Sequence, residues 1–251
     1  MNERTKNIIK KITPDFLIDK ARQFKFNHAA KKSYSQCGED IIVDFLFEGL
    51  GIKKPTYADI GTHHPSFINN TYLFYKRGSR GLCVEPDPIL FNDIKKHRKR
   101  DVCLNIGVGD ITQKSAEYYV MTSKTMSTFS RDEVEMYQKS NRYGSQKIEK
   151  VINVPLISIN EIASKYPEYF CDFVSLDTEG LDLKIIKSFD FSKFRPKVWC
   201  VETIARGENR GGVAKDNEII EIMKDNGYFI YADTYINNIF VDKKTWGFQK
   251  N

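Results

Sequence analysis

The stretch YADIGTHHPSFINNT, residues 57–71, passes from a short apolar run through Asp59 to a single glycine, Gly61, and then to two adjacent histidines and a proline. An apolar run that ends in Asp and Gly is the pattern of a strand feeding a ligand-binding turn in an α/β sheet. Four further runs follow: GLCVE (81–85), DVCLN (101–105), DFVSLD (172–177) and KVWCVET (197–203). Helical segments separate them, which predicts a mostly parallel sheet. NNTYLFYKRG predicts a helix closed by Gly78. Asp87 and Pro88 are good N-cap and first-turn residues for a helix through about Arg98. GLDLKIIKSF and NEIIEIMKDNG predict two more, the latter with Gly227 just past its end. Upstream, SQCGEDIIVDFLFEGLG has helical pattern from Ser35, with Ile41, Ile42, Phe45 and Leu46 on one face. The tail YFIYADTYINNIFVDK predicts an antiparallel strand pair around a turn at Asn237–Asn238, closing the sheet.

The chain has 251 residues, enough to bury a full core without disulfides, and its 41% hydrophobic and 29% charged content is that of a soluble globular protein. Its formal charge of +6 is localised: residues 1–32 hold nine Lys/Arg against three Asp/Glu, and the rest is neutral. Residues 1–33 therefore read as a basic extension, with one or two helices over 5–27 broken near Pro14. Such an arm suits peripheral contact with a membrane surface, an acidic partner or a neighbouring subunit. No run of 18 apolar residues predicts a transmembrane helix, no signal-peptide core is visible, and no motif points to nucleic acid. The five cysteines, Cys37, Cys83, Cys103, Cys171 and Cys200, form no CxxC pair, which argues for a reduced, cytoplasmic compartment and against structural zinc. Residues 34–251 read as one domain. Within it, the polar segment 122–150 contains a predicted helix near Arg131–Lys139 and the residues Arg142, Tyr143 and Gly144. It reads as an insertion able to cover a site.

In an open α/β sheet ligands bind beyond the C-terminal strand ends. Those ends carry Asp59 and Gly61, Glu85, Asn105, Asp177 with Glu179, and Glu202. Glu85 lies 24 residues after Gly61, close to the spacing at which an acidic residue accepts hydrogen bonds from a ribose, and the following Pro86-Asp87-Pro88 fixes the chain direction there. One glycine followed by Thr62, His63, His64 and Pro65 is a poor cradle for a pyrophosphate. It suits a ligand without phosphate, such as S-adenosylmethionine.

YSQCGED, YADIGTHHP with NNT, GLCVEPDP, FVSLDTEG and RPKVWCVET resemble, in order and context, the FkbM-type methyltransferases, over about residues 34–242. The resemblance implies a Rossmann-like fold, S-adenosylmethionine as cofactor, and O-methylation of a sugar, sugar nucleotide or natural product. It implies that Gly61 and the Asp59 strand end lie at the methionine portion, that Glu85 holds the ribose, and that residues around Asn105 border the adenine, with Pro86 also among the cofactor-binding residues. It also implies that the segment holding Gln36, Glu39 and Asp40 folds over the amino-acid end of the cofactor, with Gln36 on the carboxylate.

An alcohol acceptor must lose its proton, so a base or a metal is needed. His64, which the resemblance favours over His63, is one candidate; its alternative is to bond local backbone and shape the turn. Asp177 and Glu179, two residues apart and so on one strand face, are others. Asp177 with Glu202 on the neighbouring strand end suggests a Mg²⁺ or Mn²⁺ site. The reading is thus a cytoplasmic O-methyltransferase acting on a sugar or sugar nucleotide for a bacterial surface polysaccharide, with oligomerisation open. An NAD-dependent oxidoreductase and a non-catalytic adaptor are the rivals.

Overall fold

The structure is a computed structural model that describes residues 16–17, 19–20, 31–109, 114–139, 146–204 and 215–247. The chain divides into two compact units, Met1–Lys32 and Ser33–Asn251. In the first, residues 16–17 and 19–20 are helical. The rest of the basic arm's expected helices, like Arg142, Tyr143 and Gly144, lies outside the described residues.

The second unit begins with α1 (Glu39–Gly49), β1 (Tyr57–Ile60), α2 (Tyr72–Lys76), β2 (Gly81–Val84), α3 (Pro88–His97) and β3 (Val102–Leu104). A small-sheet region follows: β4 (Gly107–Val108), β5 (Ser115–Met121), α4 (Arg131–Lys139) and β6 (Ile148–Ile157). The chain then returns through α5 (Ile159–Lys165), β7 (Phe173–Leu176), α6 (Asp182–Ser188), β8 (Val198–Glu202), α7 (Asn217–Asp225), β9 (Tyr228–Asp233) and β10 (Asn237–Asp242). The main sheet has the order β3-β2-β1-β7-β8-β10-β9, parallel from β3 to β8, with β10 antiparallel to both its neighbours. This is the predicted Rossmann-like architecture. Among the described residues no helix is long and apolar enough to cross a membrane.

The strands β1, β2 and β7 are buried throughout because both sheet faces are covered. Ala58, Ile60, Val174, Leu176, Trp199 and Val201 pack with α5, α6 and α7, whereas Tyr57, Phe173, Val198 and Ile239 pack with α1 and α2. On this second face one row across the sheet is built of short side chains: Cys103, Cys83, Asp59, Ser175 and Cys200 are register partners in turn. The low row leaves room for the chain after β1 to fold down onto the sheet. Asn70 uses that room, its amide donating to Ser175 Oγ (3.1 Å) and reaching Cys200 Sγ (3.6 Å).

Three expectations are corrected. The helix expected from Ser35 starts at Glu39, because Gly38 is left-handed (φ 89°) and Ser33, Tyr34 and Ser35 wrap instead around the Asp40 carboxylate. The helix expected from Asn69 starts at Tyr72, because the Asn69 side chain turns inward and accepts from the N–H groups of Thr71 and Tyr72. Asn237 and Asn238 are the first residues of β10, not a turn. The reversal is centred on Tyr235 (φ 74°), whose N–H donates to Asp233 Oδ1.

The small sheet, of order β4-β6-β5, was not foreseen. The described residues of the segment 122–150 lie between and at the ends of β5 and β6, and α4, at the expected Arg131–Lys139, packs Val134 and Tyr137 on Tyr119 and Met121.

The residue that organises the corner of the sheet beneath the β1–α2 turn is Arg98, expected only as a helix end and found fully buried. Its Nε donates to Asp101 Oδ2 (2.8 Å), one terminal nitrogen donates to the Pro65 carbonyl (3.1 Å) and Asn69 Oδ1 (3.3 Å), and the other to the Tyr57 and Thr71 hydroxyls (both 2.9 Å). The guanidinium also lies over the Tyr75, Tyr57 and Tyr72 rings at 4.7, 5.4 and 5.8 Å. Asp101 is held in turn by the Tyr57 hydroxyl (2.7 Å) and the Gly81 N–H (3.0 Å). Removing one partner of a buried pair leaves an uncompensated charge. We therefore expect Arg98→Ala to lower stability by about 3–5 kcal/mol, read as a fall in the urea midpoint; a fall under about 1 kcal/mol would contradict this role.

Candidate active site

The register pairs Ile60↔Val84, Val84↔Leu104, Ile60↔Leu176 and Leu176↔Val201 bring the next residues of each strand into one row: Asn105, Glu85, Gly61, Asp177 and Glu202. Asn237, the register partner of Glu202, extends it. Five of the predicted strand-end residues therefore share one sheet edge, without Asp59 and Glu179, and Asn237, expected in a turn, is a sixth member.

The turn after β1 explains the two histidines. Gly61 is left-handed (φ 84°), and a Cβ there would stand 1.8 Å from the Asp177 carbonyl oxygen. The close approach this glycine permits is thus to β7 rather than to a ligand. The N–H groups of Gly61 and Thr62 donate to the Val84 carbonyl, and that of His64 to the Thr62 carbonyl. His63 is itself left-handed (φ 58°), and its N–H donates to Glu85 Oε2 (2.8 Å). The N–H groups of Ser66 and Phe67 donate to His64 Nδ1 (3.1 and 2.9 Å). Every N–H from Gly61 to Phe67 is therefore used within the protein, Pro65 having none. A dinucleotide pyrophosphate needs several of these groups pointing outward, so the turn does not fit one.

The same bonds separate the histidines chemically. With Nδ1 of His64 accepting from backbone, the neutral ring carries its proton on Nε2, which donates and cannot take a proton from an acceptor. The favoured assignment of His64 as base therefore meets a ring committed to the local backbone. The half-buried His63 has its pKa lowered by burial, then by His64, with Asp87 opposing, so its ring stays neutral near pH 7.

Asp59 is buried beneath this turn, where its Oδ2 accepts from the Thr71 hydroxyl (2.7 Å) and the Asn69 amide (3.0 Å). It belongs to the polar cluster around Arg98. Glu85 is 3% exposed. Its Oε1 accepts from the Asp87 N–H (2.9 Å), so one carboxylate ties the turn after β1 to the turn after β2. Burial pushes its pKa up to about 8, against the two N–H bonds and with the charges of Asp87 and Asp59 adding to the rise. Asn105 donates from its amide to the Glu85 (2.8 Å) and Pro86 (3.0 Å) carbonyls, which fixes the peptide that aims Glu85. Asp87 caps α3 through Ile89 N–H (2.7 Å), with Pro88 in the first turn, as the sequence predicts.

On the other side of Gly61, β7 ends at Leu176, so Asp177 and Glu179 do not share a strand face as expected. Asp177 is half-buried, its N–H donating to the Ile60 carbonyl. Asp182 shapes the following turn by accepting from Thr178 and Gly180. Glu179 is left-handed (φ 53°), its carbonyl accepts from Thr128 (2.6 Å), and its Oε2 lies 3.3 Å from the Tyr137 hydroxyl. Glu133 Oε2 lies 3.3 Å from the same hydroxyl. The segment read as an insertion thus packs on the turn after β7. Tyr118 of β5 is near as well: after burial, the carboxylates of Glu85, Asp87 and Glu179 are what raise its phenol pKa.

Gln36 is exposed. The buried residues of its segment are Asp40 and Glu39, and Glu39 Oε1 accepts from Thr234 (2.7 Å) and Asn237 (3.0 Å). Burial alone would raise the Glu39 pKa, but these bonds and the Cys37 N–H hold it below the usual carboxylate value. The expected Mg²⁺ or Mn²⁺ site gains no support: Asp177 and Glu202 are neighbours, yet among the described residues no group of three or more His, Cys, Asp or Glu is placed to hold a metal ion. Glu133, Tyr137, Thr128 and Tyr118 were not named from the sequence, since only the fold of the small sheet brings them here.

Comparison with known proteins adds the family. The Methyltransferase FkbM domain matches residues 59–230. No curated protein is similar at a significant level. Among solved structures, a TehB-like SAM-dependent methyltransferase from Corynebacterium glutamicum is 12% identical over 92% of this chain and 100% of that one, with a TM-score of 0.37. The O-methyltransferase from Bacillus cereus in complex with SAH is 11% identical over 95% of both chains, also at 0.37. The magnesium protoporphyrin IX methyltransferase from Synechocystis with bound SAM is 11% identical over 82% of this chain and 80% of that one, again at 0.37. Likenesses this distant do not bear on what this chain acts on. The family match spans well over half the chain, its turn after β1 and its β2 end are the ones described above, and the chain belongs to the FkbM methyltransferase family.

Proposed function

We propose that the chain is an S-adenosylmethionine-dependent O-methyltransferase acting on a hydroxyl of a sugar or sugar nucleotide, in the making of a bacterial surface polysaccharide in the cytoplasm. The observation that carries the cofactor reading is the internal use of every N–H from Gly61 to Phe67 beside the buried Glu85 carboxylate. This is a site for a ribose without a pyrophosphate, and it disfavours NAD. Glu85 would accept from the ribose hydroxyls, Pro86 and Asn105 would flank the adenine, and Gly61 and Asp177 would border the methionine end, with Gln36 near its carboxylate. The cofactor supplies an electrophilic methyl group on a sulfonium.

The chain's own residues then have two tasks, to orient an acceptor hydroxyl in line with that methyl and to take its proton. Acidic and amide groups at Asp177, Glu179, Glu202 and Asn237 suit a polyhydroxyl acceptor, which offers many donors. His63, with a neutral ring and its backbone N–H held by Glu85, is our choice of base, ahead of Asp177.

Calorimetric titration with S-adenosylhomocysteine should give micromolar binding, weakened about a hundredfold by Glu85→Ala, the loss of two hydrogen bonds to a charged group. Binding of NAD in its place would overturn the reading. Affinity should rise with pH through about 8, because the ribose hydroxyls donate to the ionised form of Glu85. For stability the sign is opposite. The folded-state pKa lies above the unfolded one, so Glu85 contributes most at low pH and that contribution is lost as pH rises through about 8. The thermal midpoint of Glu85→Gln, scanned over the same range, should lack this component.

His63→Asn tolerates the left-handed backbone and keeps the N–H to Glu85. We expect kcat to fall about 10²–10⁴-fold with S-adenosylhomocysteine affinity unchanged. Unchanged kcat would move the base to Asp177. Transfer of labelled methyl across a panel of sugar nucleotides tests the acceptor class.

A further inference from the structure

Cys83 and Cys103 have no part in this chemistry, and the fold places them together. They are register partners on the adjacent parallel strands β2 and β3, so their side chains leave the sheet on the same face. Neighbouring strands stand about 4.8 Å apart, which falls inside the Cα separation that a disulfide spans. Their environments differ. Cys83 is 1% exposed, whereas Cys103 is partly exposed on β3, the edge strand of the sheet. Cys83 Sγ lies 3.6 Å from Asp101 Oδ2, the carboxylate that also receives Arg98 Nε.

We propose that Cys103 and Cys83 form a peroxide-reactive dithiol, with Cys103 as the attacking thiol and Cys83 as the resolving one, which joins β3 to β2 by a reversible disulfide. The Cys103 thiolate attacks one peroxide oxygen. The O–O bond breaks, the sulfur is oxidised by two electrons to a sulfenic acid, and the departing hydroxide takes a proton to leave as water. The Cys83 thiol then displaces the sulfenic hydroxyl, forming the S–S bond and releasing a second water.

The choice of Cys103 over the other thiols has a physical basis. A hydrogen bond from Cys83 lowers its pKa, with the Arg98 and Lys95 charges adding to the effect against burial and Asp101. The two exposed cysteines run the other way: burial and then Glu39 raise Cys37, and burial and then Asp172 raise Cys171. The thiolate is the nucleophile. Cys83 and Cys103 each precede by two residues a member of the strand-end row, Glu85 and Asn105, which are joined by the Asn105 amide bond. A bridge between the sulfurs therefore acts directly beneath the residue that we assign to the ribose.

The test uses the reduced full-length chain, treated with a modest excess of hydrogen peroxide, alkylated and mapped by peptide mass spectrometry. The expected result is a Cys83–Cys103 linked peptide pair that dithiothreitol separates. With dimedone present, Cys83→Ser should accumulate the sulfenic-acid adduct at Cys103, and Cys103→Ser should leave Cys83 unmodified. Oxidation of Cys37 or Cys171 while Cys83 and Cys103 remain thiols would overturn the proposal. So would adduct formation at Cys83 before Cys103. The mapped bond does not depend on what the site binds, so its absence and a failure to bind S-adenosylhomocysteine are separate results.

Discussion

A buried guanidinium sets the geometry of the sheet corner where the turn after β1 meets the end of β2. Arg98 is taken wholly out of water, an arrangement tolerated only where the charge is paired and its N–H groups are satisfied. Asp101 supplies the counter-charge, and oxygens of Tyr57, Thr71, Asn69 and Pro65 accept the remaining bonds. Two of these acceptors, Asn69 and Thr71, also hold the Asp59 carboxylate, and Asn69 donates to the carbonyls of Thr62 and His64. The path of the chain from Gly61 to Thr71 is therefore determined by a charge that lies beneath it. That path in turn presents the His63 N–H to Glu85.

Two buried carboxylates on this edge are driven in opposite directions. Glu85 is raised by burial near other acids, and Glu39 is lowered by hydrogen bonds from Thr234, Asn237 and backbone N–H groups that outweigh burial. Both join segments distant in sequence: Glu85 the turns after β1 and β2, and Glu39 the start of α1 to the β9–β10 hairpin. Such divergence between like groups is common where a site assigns them different tasks. On the proposed reading, Glu85 would meet the ribose hydroxyls, whereas Glu39 ties the start of α1 to the β9–β10 hairpin.

The sheet was legible in the sequence because its strands are short apolar runs bounded by polar residues, as in GLCVE and DFVSLD. The strand-end row was legible for the same reason, since one position past each run is necessarily at the edge. Four features were not. Arg98 follows a helix with three basic residues in its last turn and looks like a fourth. Asn237 and Asn238 have the composition of a turn, and only tertiary bonds make them strand. The alternation of Ile152, Val154 and Leu156 in β6 is a visible strand signal, but the polar surroundings masked it. The packing of Tyr137 and Thr128 on Glu179 depends on how the β5–β6 hairpin folds back, which no local pattern encodes. For His64 the sequence left two roles open, acid–base chemistry and shaping the turn, and the bonds to Nδ1 make its ring part of the turn.

The central claim is that this Arg98-supported edge is where the cofactor sits. Hydrogen–deuterium exchange of the full chain, with and without S-adenosylhomocysteine, tests it most directly. The expected result is slowed exchange concentrated in residues 61–68, 85–89 and 177–181, with the β9 strand and α7 unchanged. Protection centred elsewhere, or equal slowing of the same segments by NAD, would contradict it.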